Sequence, residues 1–227
     1  MSNKTIQMTL TKTEEDYLKA LFHLSMENES DKAGTNQVAE YLGLSPASVN
    51  NMLKKLKVKD LVSYEKYGKL SLTESGKSTA VRLIRKHRLW ETFLFKHMNF
   101  TWDEVHEVAE QLEHIQSSKL ISELDKFLGY PKRDPHGAVI PNELGEYSRE
   151  PQITLASLQV GDSCRLTSVS DSSAPFLQYV SRIGLALSTR IRISEIQEFD
   201  GSMTIETEGS AYTVSKKFAE HVFVEKI

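Results

Sequence analysis

Apolar residues in the first sixty positions recur at helical spacing in three segments. Thr11 and Glu14 have the spacing of a capping box, and the apolar stripe that follows them predicts a helix. A shorter helix is predicted over 35–42, with Gly43 as its C-terminal stop. The Ser-Pro pair at 45–46 then supplies an N-cap and a first-turn proline for a third helix. Two helices joined by a short glycine-containing turn are typical of a helix-turn-helix.

Beyond the third helix the spacing changes from helical to alternating. Leu61 and Val62 begin one predicted strand, and Leu70 and Leu72 alternate in the next, with the turn at 67–68. Two such strands form a hairpin, which predicts the wing of a winged helix-turn-helix.

Helical spacing returns after the hairpin and predicts three further helices, over 73–97, 101–116 and 118–127. The second of them opens on another capping box, formed by Thr101 and Glu104. This middle part of the chain is therefore expected to be helical.

The composition changes after the last of these helices. Proline and glycine become frequent between 129 and 152, which indicates an extended connection. The remainder, 153–227, contains alternating segments such as CRLTSV and MTIETE, with one short helix predicted around FLQYVSRIG. The predicted fold class is therefore mainly α in the N-terminal part, followed by a small β-rich domain.

The helix that follows the Ser-Pro pair has one apolar and one polar face. At about 100° per residue, Val49, Leu53 and Leu56 share the apolar face. The polar face carries small residues first, then amides, then lysines. A recognition helix needs this order, because its N-terminal end approaches base edges, where asparagine can bond adenine bidentately, and lysines reach phosphates. The candidate DNA contacts, with two lysines of the wing included, are Ser45, Ala47, Ser48, Asn50, Asn51, Lys54, Lys55, Lys66 and Lys69.

Charge is distributed unevenly along a chain whose net charge is −3. Residues 50–90 hold eleven Lys and Arg against three acids, a net charge of +8, whereas residues 99–128 hold seven acids against two Lys, a net charge of −5. The first segment suits a polyanion such as DNA, and the second suits a cation. An ordinary amphipathic helix with a solvated basic face is the alternative explanation of the first segment.

The bulk composition narrows the class of protein. Hydrophobic residues make up 39% of the chain, and no apolar run approaches the roughly 20 residues of a membrane helix, so no membrane partner is expected. The N-terminal segment does not have the pattern of a signal peptide. The single cysteine, Cys164, cannot form an internal disulfide and is expected to be buried, which fits a cytoplasmic protein.

Histidine and glutamate recur together in the helical middle part. One predicted helix carries two of each at i, i+4, i+7 and i+8, within an arc of about 100°, and the preceding helix carries a His–Glu pair at i, i+4. Imidazole nitrogen and carboxylate oxygen are ligands of borderline divalent ions. Clustered glutamates repel one another without an ion, so a bound ion should tighten the two helices. The candidate ligands are His87, Glu91, His106, Glu110, Glu113 and His114.

Other classes of function fit parts of this pattern. The acidic face could be solvated and its histidines incidental, in a winged-helix regulator that responds to a small organic ligand. A His/Glu cluster could hold a hydrolytic metal ion, but the chain has no HExxH, nucleophile elbow or phosphate loop. A metal-storage or structural role does not explain the basic helix-turn-helix. The sequence therefore favours a metal-responsive, DNA-binding regulator and predicts no catalytic residue.

Motifs along nearly the whole chain resemble the diphtheria toxin repressor and manganese transport regulator family of bacterial metalloregulators. They are TEEDYLKALFHL, SPASVNNMLKKL, LTESGK, RKHRLWETFL, DEVHEVAEQLEHIQS and DPHGAVIP. The resemblance implies homodimers that bind palindromic operators in double-stranded DNA once Mn(II) or Fe(II) is bound, usually as repressors of metal uptake. It also implies a winged helix-turn-helix at 1–73, a helical metal-binding and dimerisation domain at 74–141, a linker at 142–152 and an SH3-like, FeoA-like domain at 153–227.

The resemblance further implies how the metal ligands are divided. A primary site would consist of Asp16, Glu110, Glu113 and His114, and an ancillary site of His87, Glu91 and His106.

Two departures from the family pattern bear on the choice of metal. The iron-sensing branch has Met and Cys where this chain has Asp16 and Glu110, and carboxylates favour Mn(II), with Fe(II) as the other expected ion. Lys19 stands where the manganese branch has a glutamate ligand, and an ammonium group cannot ligate a metal. Asp171 and Gln178 are weak counterparts of the ligands that the SH3-like domain supplies in the iron branch.

Overall fold

The computed structural model describes residues 10–27, 33–64, 69–146 and 152–227. The first of two units contains the described residues up to Lys86, together with Glu113–Gln116 and Pro141–Glu146. The second contains His87–Leu112, Ser117–Ile140 and the C-terminal part of the chain. Within the described ranges, each helix is too short or too polar to cross a membrane.

The first unit begins with the predicted helices α1 (Lys12–Glu27), α2 (Thr35–Leu42) and α3 (Pro46–Val58). The capping box of α1 is present, because the Thr11 amide donates to Glu14 Oε2 and the Glu14 amide to Thr11 Oγ1. Gly43, which ends α2, has a φ of 65°, a left-handed conformation that glycine adopts without strain. Helix α1 packs against α2 and α2 against α3, so the predicted helix-turn-helix is confirmed.

The predicted hairpin is also present, as part of a three-stranded antiparallel sheet. The strands β1 (Ala33–Gly34), β2 (Val62–Tyr64) and β3 (Lys69–Leu72) lie in the order β1-β3-β2. The predicted turn at 67–68 lies outside the described residues. Fully buried leucines from α1, α3 and β3 lie in the core of the unit: Leu18, Leu21, Leu53, Leu56 and Leu70.

The long helix α4 (Glu74–His97) starts against the hairpin and continues into the second unit. A Cβ on Gly76 would lie 2.0 Å from the carbonyl oxygen of Leu61, so only glycine allows the first turn of α4 to approach the backbone so closely. The start of the helix agrees with the prediction to within one residue.

Two shorter helices follow α4, and one of them corrects the sequence prediction. Helix α5 (Val105–Leu112) was expected to continue to residue 116, but it ends at Leu112, so Glu113 and His114 lie in the turn beyond it. Helix α6 (Ser118–Phe127) has the predicted bounds, and its N-cap is Ser117, whose side chain accepts a hydrogen bond from the Leu120 amide.

The C-terminal part is a six-stranded antiparallel sheet with order β4-β9-β5-β6-β7-β8. Its core is formed by residues that alternate along the strands, and Cys164 is among them, fully buried, with its pKa raised to about 11 by that burial. The predicted β-rich domain is therefore confirmed, and Cys164 is buried as expected. Its elements are β4 (Ile153–Thr154), β5 (Ser163–Val169), α7 (Ala174–Arg182), β6 (Arg190–Ile196), β7 (Met203–Thr207), β8 (Ser210–Val214), α8 (Lys216–Glu220) and β9 (Val222–Lys226).

Candidate metal centre and nucleic-acid interface

The face of α3 that the sequence predicts to contact DNA is exposed, and it carries small residues, then amides, then lysines along the helix. Val49, Leu53 and Leu56 are fully buried. Nearly all the candidate DNA contacts are exposed, namely Ser45, Ala47, Ser48, Asn50, Asn51, Lys54, Lys55 and Lys69, whereas Lys66 lies outside the described residues.

The N-terminus of α3 is fixed by its own side chains. Ser45 Oγ accepts a hydrogen bond from the Ser48 amide at 3.2 Å and lies 2.9 Å from Ser48 Oγ. Two further lysines at the end of the helix are engaged within the unit: Lys57 lies 5.0 Å from the ring centroid of Tyr64, and Lys59 pairs with Glu14 at 2.6 Å. The lysines nearest the middle of α3, Lys54 and Lys55, therefore carry the exposed positive charge of the reading face.

Three potential metal ligands converge in the first unit, and we call them the Asp16 group: Asp16, Glu113 and His114. Helix α1 supplies Asp16, and the turn after α5 supplies the other two. His114 Nε2 lies 3.2 Å from Asp16 Oδ1 and 3.8 Å from Glu113 Oε1. Adjacent ligands of an ion with bonds of about 2.1 Å lie roughly 3 to 4 Å apart, so the spacing suits a divalent ion.

The orientation of His114 supports this interpretation. Its Nδ1 lies 2.6 Å from Glu15 Oε2, and the Gln116 side chain donates to Glu15 Oε1 at 2.7 Å. A proton on Nδ1 leaves a lone pair on Nε2, which is buried and has no hydrogen-bond partner among the described residues. Two acceptor atoms, His114 Nε2 and Asp16 Oδ1, thus face each other at 3.2 Å, an arrangement that a cation between them would stabilise.

Two lysines balance the negative charge around the Asp16 group. Lys19 Nζ donates to both oxygens of the fully buried Glu113, at 3.1 and 2.8 Å. Burial lowers the pKa of Lys86, and the charges of Glu15 and Glu113 partly offset that effect. Lys19 thus forms an ion pair with the candidate ligand Glu113. The sequence pattern did not predict this contact.

A second group, the His87 group, lies in the second unit and consists of His87, His106 and Glu110. His87 Nε2 and His106 Nδ1 lie 3.1 Å apart, and Glu91 Oε1 lies 2.8 Å from the first and 3.2 Å from the second. These three atoms thus have the spacing of adjacent metal ligands. Glu110 Oε1 lies 3.7 Å from His87 Nδ1 and 3.6 Å from His106 Nε2.

A third group, the Glu91 group, is buried in the second unit and consists of Glu91, Asp134 and His136. Burial alone would raise the pKa of Glu91, but the charge of His87 and hydrogen bonds from His106, His136 and His87 hold it well below its usual value. Asp134 shows the opposite effect, because burial and the charge of Glu91 raise its pKa to about 6. The pKa of His136 is raised by Glu91 against the effect of burial.

The loop that carries His136 packs against β5 of the C-terminal sheet, where the Val169 amide donates to the His136 carbonyl oxygen at 3.0 Å. Asp134 Oδ1 accepts hydrogen bonds from the His136 and Ala138 amides, and His136 Nε2 lies 2.9 Å from the Trp102 carbonyl oxygen. Gly137 has a φ of 85°, and a Cβ there would lie 2.1 Å from the Thr167 carbonyl oxygen. The loop therefore requires glycine at this position both for its backbone conformation and for its packing.

The structure divides the six candidate ligands, which the sequence pattern assigns to two successive helices. Because α5 ends at Leu112, the turn residues Glu113 and His114 join Asp16, while His106 and Glu110 stay on the helix near His87. Sequence reasoning did not assign a ligand role to Asp134 or His136. The signal that could have found them is the acid–His spacing within the DPHG motif of the proline- and glycine-rich segment.

The weak candidates from the SH3-like domain are engaged in other contacts. Gln178 donates to Asp103 Oδ2 at 2.8 Å, and Asp171 Oδ1 accepts from the Ser173 amide. A different residue of the domain, Ser172, has its hydroxyl 3.5 Å from His106 Nε2.

Family models match three successive parts of the chain. The iron dependent repressor N-terminal DNA binding domain matches residues 9–70, and the iron dependent repressor metal binding and dimerisation domain matches residues 73–142. The FeoA domain matches residues 153–226.

Curated relatives resemble the N-terminal and middle parts. The chain is 33% identical over 138 residues to the iron-dependent repressor IdeR of Mycobacterium tuberculosis, covering 60% of this chain and 59% of that protein. It is 35% identical over 136 residues to a probable metal transport system membrane protein of Chlamydia trachomatis, covering 58% of this chain and 30% of that protein. In these matches the chain spans less than two thirds of the length of either relative.

Solved structures match over almost the whole chain. A manganese-dependent transcriptional repressor in complex with manganese is 33% identical, with a TM-score of 0.85, covering 94% of this chain and 100% of the other. The manganese regulator SloR is 38% identical, with a TM-score of 0.80, covering 96% of this chain and 100% of the other.

Proposed function

Because this chain belongs to the diphtheria toxin repressor and manganese transport regulator family, we propose that it is a transcriptional repressor that binds DNA when a divalent metal ion is bound. The observation that carries the proposal is the buried Nε2 of His114, which has no hydrogen-bond partner among the described residues and faces the carboxylates of Asp16 and Glu113. The basic outer face of α3 supplies the DNA-binding half of the proposal.

The proposed ligands come from all three groups. Asp16, Glu113 and His114 would hold one ion, and His87, His106 and Glu91 a second, because their ligand atoms have metal-ligand spacing. Glu110 stays a proposed ligand, and its contacts favour the His87 group rather than the primary site that the resemblance implies. When bound, the ion supplies positive charge and directional bonds that join separate segments of the chain.

Mn(II) is the proposed signal, with Fe(II) as the alternative. The Asp16 group offers two carboxylates and one imidazole and no sulfur ligand, which suits a hard ion. The solved neighbours include a repressor in complex with manganese, whereas IdeR is iron-dependent, so the family supports both ions.

The proposed DNA target is a palindromic operator bound by a homodimer. The family model for residues 73–142 includes dimerisation, and two-fold related reading helices suit half-sites about 34 Å apart. An ion bound by Asp16 and Glu113 would join α1 to the turn after α5. It would thereby fix the position of α1, which packs against α2, and α2 packs against α3. This is our reason for linking metal binding to the spacing of the reading helices.

The proposed functional division of the chain follows the resemblance. Residues 1–73 would bind DNA, 74–141 would bind metal and dimerise, 142–152 would connect, and 153–227 would form the SH3-like domain. Support comes from the three family models, which match in the same order. A hydrolase is not supported, because the family consists of transcriptional regulators.

The test is the affinity for a labelled operator fragment, selected from random DNA with the metal-loaded protein and measured by fluorescence anisotropy as Mn(II) is titrated. We expect Mn(II) to strengthen binding by the wild type and to have no such effect on His114→Ala. His221→Ala is the matched control, because His221 bonds with Ser170 and belongs to none of the three groups.

Two results would contradict the proposal. A chelator-treated wild type that binds the operator as tightly as the Mn(II)-loaded protein would favour a regulator that senses an organic ligand. A His114→Ala variant with the full response to Mn(II) would remove the Asp16 group from the mechanism. A parallel anaerobic titration with Fe(II) ranks the two ions.

A further inference from the structure

Lys19 lies one turn after Asp16 on α1, and its ammonium group contacts the buried carboxylate of the Asp16 group. Its Nζ donates to both oxygens of Glu113, at 3.1 and 2.8 Å, and the two side chains are 11% and 0% exposed. A buried carboxylate needs a partner of opposite charge, so this contact stabilises Glu113 within the fold. The distance in sequence, 94 residues, means that the contact joins α1 to the turn after α5.

The same carboxylate is a proposed ligand of the divalent ion. An ion bonded to Glu113 Oε1 at about 2.1 Å would lie within roughly 5 Å of Lys19 Nζ, because Nζ is 3.1 Å from that oxygen. At this distance an ammonium group and a divalent ion repel each other strongly in a poorly solvated site. The two cations therefore cannot both hold Glu113 without loss of binding energy.

We propose that Lys19 is a built-in competitor of the divalent ion for Glu113, and that it sets the metal concentration at which the Asp16 group fills. The inference rests on the proposed function, because it assumes that this group holds a metal ion. The long, flexible lysine side chain allows the ammonium group to withdraw when an ion enters. Lys19 is thus an affinity-determining residue that is not itself a ligand.

A second lysine near Glu113 limits how much the affinity for the ion can rise when the charge of Lys19 is removed. Lys86 also interacts with Glu113 and Glu15, so positive charge remains near the group when that of Lys19 is removed. Loss of the Lys19 charge should therefore raise the affinity for the ion without making the site indiscriminate. We expect about tenfold tighter binding, which corresponds to about 1.4 kcal/mol.

The experiment measures Mn(II) binding to the chelator-treated full chain, without DNA, from the electron paramagnetic resonance signal of free Mn(II). The site is defined as the binding that His114→Ala removes. Lys19→Met should bind Mn(II) about tenfold more tightly there, whereas Lys19→Arg, which keeps the charge, should bind no more tightly than the wild type. Lys59→Met is the matched control. Lys59 also pairs with a buried glutamate of α1, Glu14, but this glutamate belongs to none of the three groups.

Thermal unfolding gives a second, independent readout. Lys19→Met should unfold at a lower temperature than the wild type in chelator and should gain more from added Mn(II), because the ion replaces the missing charge on Glu113. If Lys19→Met does not fold, Lys19→Gln serves instead, since it removes the charge and keeps a hydrogen-bond donor.

The outcomes separate this inference from the proposed function. Equal or weaker Mn(II) binding by the uncharged Lys19 variants, with the His114-dependent site still present, would overturn only the role of Lys19. Wild-type binding that His114→Ala leaves unchanged would overturn the assignment of the Asp16 group itself.

Discussion

Two successive side-chain contacts, of Gln116 with Glu15 and of Glu15 with His114, determine which nitrogen of His114 can bind an ion. Gln116 donates to Glu15 Oε1, and Glu15 Oε2 lies 2.6 Å from His114 Nδ1. The imidazole is thereby held with Nε2 towards Asp16 and Glu113. A carboxylate behind a ligating histidine fixes its tautomer and ring orientation, so Glu15 is a positioning residue for the proposed site.

Glu15→Gln should therefore weaken Mn(II) binding at the Asp16 group by about 10- to 100-fold, because the amide can present its NH2 to Nδ1 and so favour the wrong tautomer. Equilibrium dialysis of the chelator-treated protein measures this change. Glu14→Gln is the control, since its partners are Thr11 and Lys59, and it should bind Mn(II) as the wild type does. Equal affinities of the two variants would show that Glu15 does not position His114.

Residue types and spacing identify several of the clustered side chains, but the contacts between distant segments could not be predicted. The His87–Glu91 pair is local, because its members lie four positions apart on one helix, and the sequence pattern finds it. The contacts of Lys19 with Glu113 and of Glu15 with His114 join residues 94 and 99 positions apart. No periodicity within one helix carries information about such contacts.

At the scale of elements, the end of α5 shows how tertiary contacts override a local pattern. The residues after Leu112 continue the helical spacing and contain no glycine or proline until Gly129. Yet Glu113 and His114 lie in a turn, where Lys19 and Glu15 hold their side chains. These buried polar contacts outweigh the small helix propensity of two residues, and they divide the predicted cluster into separate groups.

Substitutions in α3 can distinguish base recognition from phosphate contact. Asn51 is exposed near the N-terminal half of the reading face, whereas Lys54 lies farther along it. Asn51→Ala should weaken binding to the selected operator by about 1 to 3 kcal/mol and leave binding to random DNA nearly unchanged. Lys54→Ala should weaken both and reduce the salt dependence, because it removes a phosphate contact. Equal losses of Asn51→Ala on both DNAs would exclude base recognition by this residue.

The loop that carries Asp134 and His136 allows a matched comparison of two glycines. Gly137 and Gly129 both have positive φ, 85° and 74°, but only at Gly137 would a Cβ meet other atoms, the nearest at 2.1 Å. Gly129→Ala should therefore cost about 1 kcal/mol of unfolding free energy, from the backbone conformation alone. Gly137→Ala should cost clearly more, because the loop must also move off β5.

Urea unfolding of the chelator-treated variants measures this difference. Similar losses for both glycine variants would mean that the loop can shift without disturbing the Glu91 group. A larger loss at Gly137 would support a loop held in one position by its packing.

At the scale of the whole molecule, local patterns predicted the fold class and the order of the helices and the hairpin up to residue 127, and the alternation of apolar residues predicted the β-rich domain, although not all of its strands. The pattern did not predict β1, which has only two residues, or the pairing order of the six-stranded sheet, where β9 lies between β4 and β5. Sheet order depends on pairing between distant segments, which a single sequence read by periodicity does not encode.

Metal binding should also be visible as a local change in the stability of the chain. An ion held by Asp16, Glu113 and His114 joins α1 to Glu113–Gln116. Local unfolding of these segments that releases the ion therefore becomes rarer. At Mn(II) concentrations about 100 times the dissociation constant, linkage gives about 2.7 kcal/mol, which slows amide exchange in these segments by up to roughly 100-fold. Hydrogen exchange with mass spectrometry measures this effect peptide by peptide.

The same experiment contains its own controls. Peptides from β6, β7 and β8, which contain no residue of the three groups, should exchange at the same rate with and without Mn(II). In His114→Ala the protection of α1 should disappear, while any protection around His87 and His106 should persist. Protection of α1 that survives this substitution, or a uniform slowing over all peptides, would mean that the ion does not act by joining α1 to the turn after α5.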